Sequence, residues 1–208
     1  FLWRPADLMA AKAQVREGAG SLPAYTELLR EADRAMALGP WTVVDKTRVP
    51  PSGDIHDYAS MGPYWWPDPG SPNGEPYIRK DGETTPERNG SNFDRADLGE
   101  MSAAVEALAL AHYFTEDAKY AERAALVLRT WFLDPSTRMN PNLNHGQGVP
   151  GVIPGRPEGI IDTHQWVRLV ESIGLLEPTG VLTKTDVSGL RGWFSAYLHW
   201  LTTSGLGK

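Results

Sequence analysis

An all-α fold built from antiparallel helical hairpins is predicted by three observations. Glycine and proline are partitioned: residues 39–93 hold seven Gly and nine Pro in 55 positions, whereas residues 94–133 hold one Gly and no Pro in 40. Helix-breaking and helix-permitting stretches therefore alternate. Within the permissive stretches apolar residues recur at three- and four-residue steps, the period of a helix with a buried face. No segment sustains the period-two alternation of a half-buried strand.

The clearest helix is expected over residues 94–114, where Leu98, Met101, Val105, Leu108 and His112 follow the helical step. Ala104, Ala107, Leu110 and Ala111 make its other faces apolar too, which suits a helix packed on several sides. A second is expected over 117–133, with Tyr120, Ala124, Val127, Leu128 and Trp131 as its buried stripe and Lys119, Glu122, Arg123 and Arg129 in water. The link Thr115-Glu116 is so short that the two must be antiparallel neighbours. Another pair is read over 5–17 and 23–38, broken by Gly18-Ala19-Gly20-Ser21. A third is read over 159–176 and 186–203, the latter striped by Leu190, Trp193, Phe194, Tyr197, Leu198 and Leu201. Hairpins placed side by side each leave one face unburied, so three pairs make an arc rather than a closed object. The chain stops at Lys208, just past the C-cap signal Thr202-Thr203-Ser204-Gly205. The expectation is therefore a piece of a larger α/α array, with a compact six-helix bundle as the alternative.

Composition bounds the function. The chain has 208 residues, 20 basic against 26 acidic, for a net charge of −6. That balance argues against a nucleic-acid binder, which needs clustered Lys and Arg to displace counterions. No stretch reaches the apolar length of a membrane span. The absence of cysteine excludes disulfides, thiolate nucleophiles and Cys-ligated metals. There is no P-loop, dinucleotide fingerprint or nucleophile elbow. The first residues, Phe1-Leu2-Trp3-Arg4-Pro5, lack the pattern of a signal peptide, so any export signal has been removed or never existed.

The chemistry is expected in two long loops, since unstructured connections of this length are usually functional. In the first, Tyr64, Trp65 and Trp66 stand between prolines as a stiff aromatic surface of the kind that receives the C–H faces of sugar rings. The other reading is that these rings plug the core, and adjacent rings in an extended segment tend to point opposite ways. The second loop, residues 135–157, carries Arg138, Asn140, Asn142, Asn144, His145, Gln147 and Arg156 and no carboxylate. Such a lining suits a substrate that bears a carboxylate, and Gly146 and Gly148 would let it approach the backbone. Asparagines that cap turns through their own backbone are the other reading. His56-Asp57 lacks the companions of a metal site. His112 and His199 read as packing or surface residues, and Asp162, near a helix start beside His164, reads as a cap or as an orienter of a neighbour.

Five stretches resemble the alginate lyase family of bacterial polysaccharide lyases. They are Ser52-Gly53-Asp54-Ile55-His56-Asp57-Tyr58, Gly62-Pro63-Tyr64-Trp65-Trp66-Pro67-Asp68-Pro69, Pro76-Tyr77-Ile78-Arg79, Trp131-Phe132-Leu133-Asp134 and Met139-Asn140-Pro141-Asn142-Leu143-Asn144. The resemblance implies an α/α toroid, eliminative cleavage of a uronic-acid polymer, and location in the periplasm or outside the cell. Family members carry an Asn-Asn-His segment and a later Tyr downstream of the helix that resembles residues 193–203. Neither occurs up to Lys208, so residues 1–208 are read as the N-terminal part of one toroid domain.

Elimination asks for a group that neutralises the uronate carboxylate, a base for the C5 proton and an acid for the departing O4. Asn142, Asn144, His145, Gln147 and Arg156 are the candidates for carboxylate recognition, Asn144 and His145 being the catalytic ones, with His145 as neutraliser or base. Tyr64, Trp65, Trp66, His56 and Arg79 complete the substrate-binding set. Amides and arginine can neutralise without a metal, so no metal or cofactor is expected, and the partner is an acidic polysaccharide. One rival is an inverting glycoside hydrolase that uses two of Asp57, Asp68, Glu158 and Asp162, with carboxylates about 6.5–9.5 Å apart. The other is a non-catalytic carbohydrate-binding fragment.

Overall fold

A computed structural model describes residues 3–18 and 22–208. It is mostly helical and divides into two units, each formed from three stretches of the chain. The first takes in the described residues up to Pro40, with Glu100–Arg129 and Gln165–Val187; the second comprises Trp41–Gly99, Thr130–His164 and Ser188–Lys208. Of the break expected at 18–21, only Gly18 falls within the described residues.

In the first unit, α1 (Pro5–Arg16) and α2 (Pro23–Ala37) both open on a proline, whose fixed φ and missing N–H suit the first helical turn. The long helix α3 (Arg95–Thr115) is followed, after Glu116 and Asp117, by α4 (Ala118–Leu128). Glu116 takes a left-handed φ of 61°, and the Asp117 side chain caps α4 by accepting from the Lys119 N–H at 3.1 Å. The Tyr120 hydroxyl donates to Asp33 at 2.8 Å and Arg123 donates to the Ala35 and Leu38 carbonyls, which ties α4 to α2. Ala32, Ala35, Ala121, Ala124 and Ala125 are buried, and small side chains let helix axes approach closely. α5 (Trp166–Leu176) buries Leu169, Ser172 and Leu176.

The second unit holds the strands, and they correct the expectation of a chain without them. β1 (Ala59–Met61) runs parallel to β4 (His145–Gly148), and β2 (Trp65–Trp66) pairs antiparallel with β3 (Ile78–Arg79). Strands of two to four residues are too short to display a period. The end of the second predicted helix is a π turn over Arg129–Leu133. The start of the fifth is a separate 3-10 turn over Pro157–Thr163 that packs on β4. In α6 (Lys184–Thr203), Trp193 packs edge-on to Phe132, donates its indole N–H to the Met139 carbonyl at 2.7 Å and stacks with Tyr197. Below the loops, Lys46 and Asp94 form a fully buried ion pair at 3.2 Å. No described helix is long and apolar enough to cross a membrane.

Candidate active site

The second unit presents a groove of about 480 Å³, lined by Tyr64, Trp65, Arg79, Arg88, Arg95, Gln147, Arg156, Glu158, Asp162 and His164 among others. Its volume suits a small ligand or part of a larger one. One wall is the β2–β3 hairpin. Trp65 pairs with Arg79 across it, and the hairpin is held by Lys80 N–H to the Tyr64 carbonyl and Thr85 N–H to the Pro63 carbonyl, both at 2.8 Å. Trp65 leans on a cluster of Ala59, Met61, Tyr77, Phe93 and Val149, while Tyr64 is 40% exposed. Alternation along the strand sends Trp66 elsewhere: its indole donates to the Glu83 carbonyl at 2.9 Å and Lys80 lies over its ring.

The opposite wall is the end of β4 and the 3-10 turn packed on it. These segments meet at two glycines, where a Cβ on Gly159 would stand 2.8 Å from Gly146 Cα. A Cβ on Gly148 would likewise fall 2.7 Å from the Pro154 carbonyl oxygen. The loop glycines therefore admit neighbouring backbone, not a ligand as the sequence suggested. Gln147 takes a left-handed φ of 45°, a conformation unfavourable for a side-chain-bearing residue. It is held by its surroundings. Its N–H donates to the Ser60 hydroxyl at 2.8 Å, its amide Nε2 donates to Asp162 at 3.3 Å, and its side-chain oxygen accepts from Arg156 Nη2 at 3.1 Å.

Asp162 is almost wholly buried, with 1% of its side chain exposed. It accepts from the Tyr58 hydroxyl at 3.0 Å and the Ser60 hydroxyl at 2.5 Å, and Arg95 Nε lies at 3.6 Å. Burial, reinforced by the Asp162 charge, raises the Tyr58 phenol well above its usual pKa, so it remains a donor. Arg88 and Arg95 each keep a buried Nε without a hydrogen-bond partner. Burial, with Arg95's charge beside it, lowers the Arg88 pKa. His164 bonds the Ile161 carbonyl through Nδ1 at 2.9 Å. A carbonyl only accepts, so the neutral ring carries its proton there and leaves the Nε2 lone pair free of it.

The groove thus unites Tyr64, Trp65, Arg79, Gln147 and Arg156 from the two predicted loops. It does not include His56, Trp66, Asn142, Asn144 or His145. The second loop carries no carboxylate of its own, yet its amides are met by acids from elsewhere. Asn140 donates to Asp54 at 2.9 Å and to Asp57 at 2.8 Å, and Asn142 donates to Asp57 at 3.2 Å. Asn142 then accepts the Asn144 N–H at 3.0 Å, and the Asn144 side-chain oxygen accepts the Trp200 indole N–H at 2.8 Å. His145 sits between Asp57, 3.6 Å from Nε2, and the Pro154 carbonyl, 3.3 Å from Nδ1. It lines a separate cavity of about 360 Å³ whose walls are mainly Val, Pro and Phe side chains. His56 bonds the Arg138 carbonyl at 2.7 Å. These asparagines and histidines hold the loops to one another. Arg88 and Arg95 went unnoticed in the sequence because one follows a proline-rich turn and the other opens α3, and only folding brings them to Asp162. Among the described residues no group of three or more His, Asp or Glu side chains is placed to hold a metal.

The sequence model described as "Alginate lyase" matches residues 42–208. No curated protein matches the chain. A crystal structure of an alginate lyase from Bacteroides ovatus is 44% identical and superimposes with a TM-score of 0.87, covering 98% of this chain and 53% of that one. The chain therefore spans about half the length of that solved relative. A family match across most of the sequence, together with identity and backbone agreement at this level, places the chain in the alginate lyase family.

Proposed function

We propose that the whole protein is a polysaccharide lyase that cleaves a uronic-acid polymer, alginate or a related β-1,4-uronan, by β-elimination, and that this groove holds the acidic sugar. One observation carries the proposal: in a chain of net charge −6, the groove gathers Arg88, Arg95 and Arg156 against Glu158 and the buried Asp162, with Arg79 at its edge already paired to Asp81 at 2.6 Å. Fixed cations in a partly desolvated cleft attract and orient an anion far better than the same groups in water. The hairpins belong, in this reading, to an α/α toroid. A polymer too large to cross the inner membrane accounts for action in the periplasm or outside the cell.

Removal of the C5 proton leaves electron density that must spread onto the uronate carboxylate. In this reading Arg156, oriented by the Gln147 amide, stabilises that charge, because a guanidinium does not compete as a base. The C5–H electrons form the C4–C5 double bond, the C4–O4 bond breaks, and O4 leaves with a proton. Tyr64 and Trp65 supply a face for the sugar ring, and the ring of His164 and the phenol of Tyr64 are of the types that transfer protons. An inverting hydrolase is less well served. The Asp162 carboxylate is saturated by buried hydroxyls, and Asp57 is engaged with Ser52, Asn140 and Asn142, so neither is free to activate water.

The test is to incubate the full-length protein with alginate and with glucuronan. Elimination yields products with the ultraviolet absorbance of a double bond conjugated to the carboxylate. Saturated reducing ends without that absorbance would reject it.

A further inference from the structure

We infer that Asp162 is a positioning residue: it fixes the amide of Gln147 and, through it, the guanidinium of Arg156 in the orientation that receives a uronate carboxylate. The inference rests on the lyase reading above and assigns a role to a residue whose side chain is only 1% exposed at the groove wall.

A carboxylate only accepts hydrogen bonds, so each neighbour of Asp162 must turn a donor toward it. For Gln147 this decides which way the amide faces. Its Nε2 is directed at Asp162 and its oxygen is left for Arg156 Nη2. The reversed amide would set oxygen against carboxylate and NH2 against guanidinium, two repulsive contacts in place of two attractive ones. Asp162 also controls the main chain. Because Ser60 spends its proton on Asp162 at 2.5 Å, its oxygen is turned to accept the Gln147 N–H at 2.8 Å. That bond supports the left-handed backbone at φ 45°, and the Gln147 carbonyl in turn accepts from Arg156 Nε at 2.7 Å. The bonds that join Asp162, Ser60, Gln147 and Arg156 are wholly or partly buried and each runs from a donor to an acceptor, so a donor where Asp162 now accepts would reverse the pattern.

Asp162→Asn tests this at nearly constant shape. An asparagine nitrogen facing Gln147 would reverse its amide and release Arg156. The measurement is steady-state elimination by the full-length protein on a polyuronate and on its methyl ester, whose carboxyl carries no charge to neutralise. Asp162→Asn is expected to lower kcat/KM on the acid polymer on the order of ten- to a hundredfold, the scale of a displaced catalytic group, with a much smaller loss on the ester. Ser60→Ala, which removes the link to the main chain together with one donor to Asp162, should shift the same ratio in the same direction, and it serves if Asp162→Asn does not fold. Tyr58→Phe, which removes a donor to Asp162 and leaves Gln147 in place, should leave the ratio near wild type. Equal losses on both polymers, or none, with active wild type would overturn the positioning role alone. Wild type inactive on both polymers would overturn the lyase reading and this inference with it.

Discussion

Arg156 is joined to Gln147 twice, by Nε to the backbone carbonyl at 2.7 Å and by Nη2 to the side-chain oxygen at 3.1 Å. A guanidinium gripped at two of its nitrogens has a fixed plane, so its remaining N–H groups point in set directions. Charge stabilisation by groups already in place needs no reorganisation when the charge develops. Glu158 at 3.7 Å from Nη1 is half exposed and moderates this charge without enclosing it.

Gly62 is the position that admits this fork. A Cβ there would stand 2.7 Å from Arg156 Nη2 and 2.8 Å from Trp65 Cδ1. The Arg156 tip is the far end of a flexible side chain and will yield before the backbone does. Gly62→Ala in the full-length protein should therefore keep its thermal midpoint within a few degrees while kcat/KM falls about tenfold, equivalent to about 1.4 kcal/mol. Melting followed by circular dichroism and the ultraviolet elimination assay check the two halves; unchanged turnover would show that the fork is dispensable.

The neighbouring tryptophans should separate in function. Trp65 lines the groove, so Trp65→Phe, which keeps much of the packing, is expected to raise KM for the polymer several-fold. Trp66 serves the hairpin through its bond to the Glu83 carbonyl and the Lys80 ammonium over its ring, 5.0 Å from the centroid. Trp66→Phe should cost about 1 kcal/mol of stability and leave KM unaltered. Kinetics paired with urea melts distinguish the two, and a reversed pattern would exchange their roles.

Lys46 and Asp94 form an ion pair that is costly to break. Both side chains are 0% exposed, and burial, only partly offset by Lys46, pushes Asp94 up to about 7. One Asp94 oxygen accepts the Ala59 N–H at 2.7 Å, while the other has no hydrogen-bond partner. Lys46→Met leaves this carboxyl without its counter-ion and should destabilise by about 3–5 kcal/mol in urea denaturation. The double change Lys46→Met with Asp94→Leu should recover part of that loss. Recovery stays incomplete, because Ala59 N–H and the Val43 and Ile55 carbonyls lose their partners.

Asp186 makes stability depend on pH in the acid range. Hydrogen bonds from Arg129, and then from the Thr183 N–H and hydroxyl, hold it down to about 2 from an ordinary 3.8. A lowered carboxylate binds fewer protons in the native state than in the unfolded one, so its stabilisation is full above 3.8 and is lost as pH falls through about 2. Asp186→Asn should cost about 1 kcal/mol at neutral pH, allowing for the partly exposed Arg129, with most of the difference gone by about pH 2. Chemical melts at both pH values check it, and a pH-independent difference would trace the cost to packing.

The helices were legible because their information is local. The apolar step through Leu98, Met101, Val105 and Leu108 is a property of one turn after the next, and all four are buried in α3. Asp117 caps α4 where the short link required a start. β1 to β4 were not legible, since strands this short are defined by a partner up to 87 positions away, Met61 opposite Gly148. The loops show the same division. Their aromatic and amide content singled out two segments, and Tyr64, Trp65, Gln147 and Arg156 from them line one groove. Asn142 and His145 could not be sorted from Gln147 by residue type, because what separates them is whether Asp57 or the groove lies opposite.

By itself, then, the amino-acid order determined a mostly helical chain, the two loops that carry polar and aromatic groups, and the family to which they belong. Tertiary structure alone decided that Asp54 and Asp57 consume the asparagine amides, that Asp162 orients Gln147, and that Arg88 and Arg95 join Arg156. The reason is the reach of each interaction. Helical periodicity is read within four residues, whereas a side chain's charge environment is set by whatever folding brings within a few ångströms, and no local pattern encodes that neighbour.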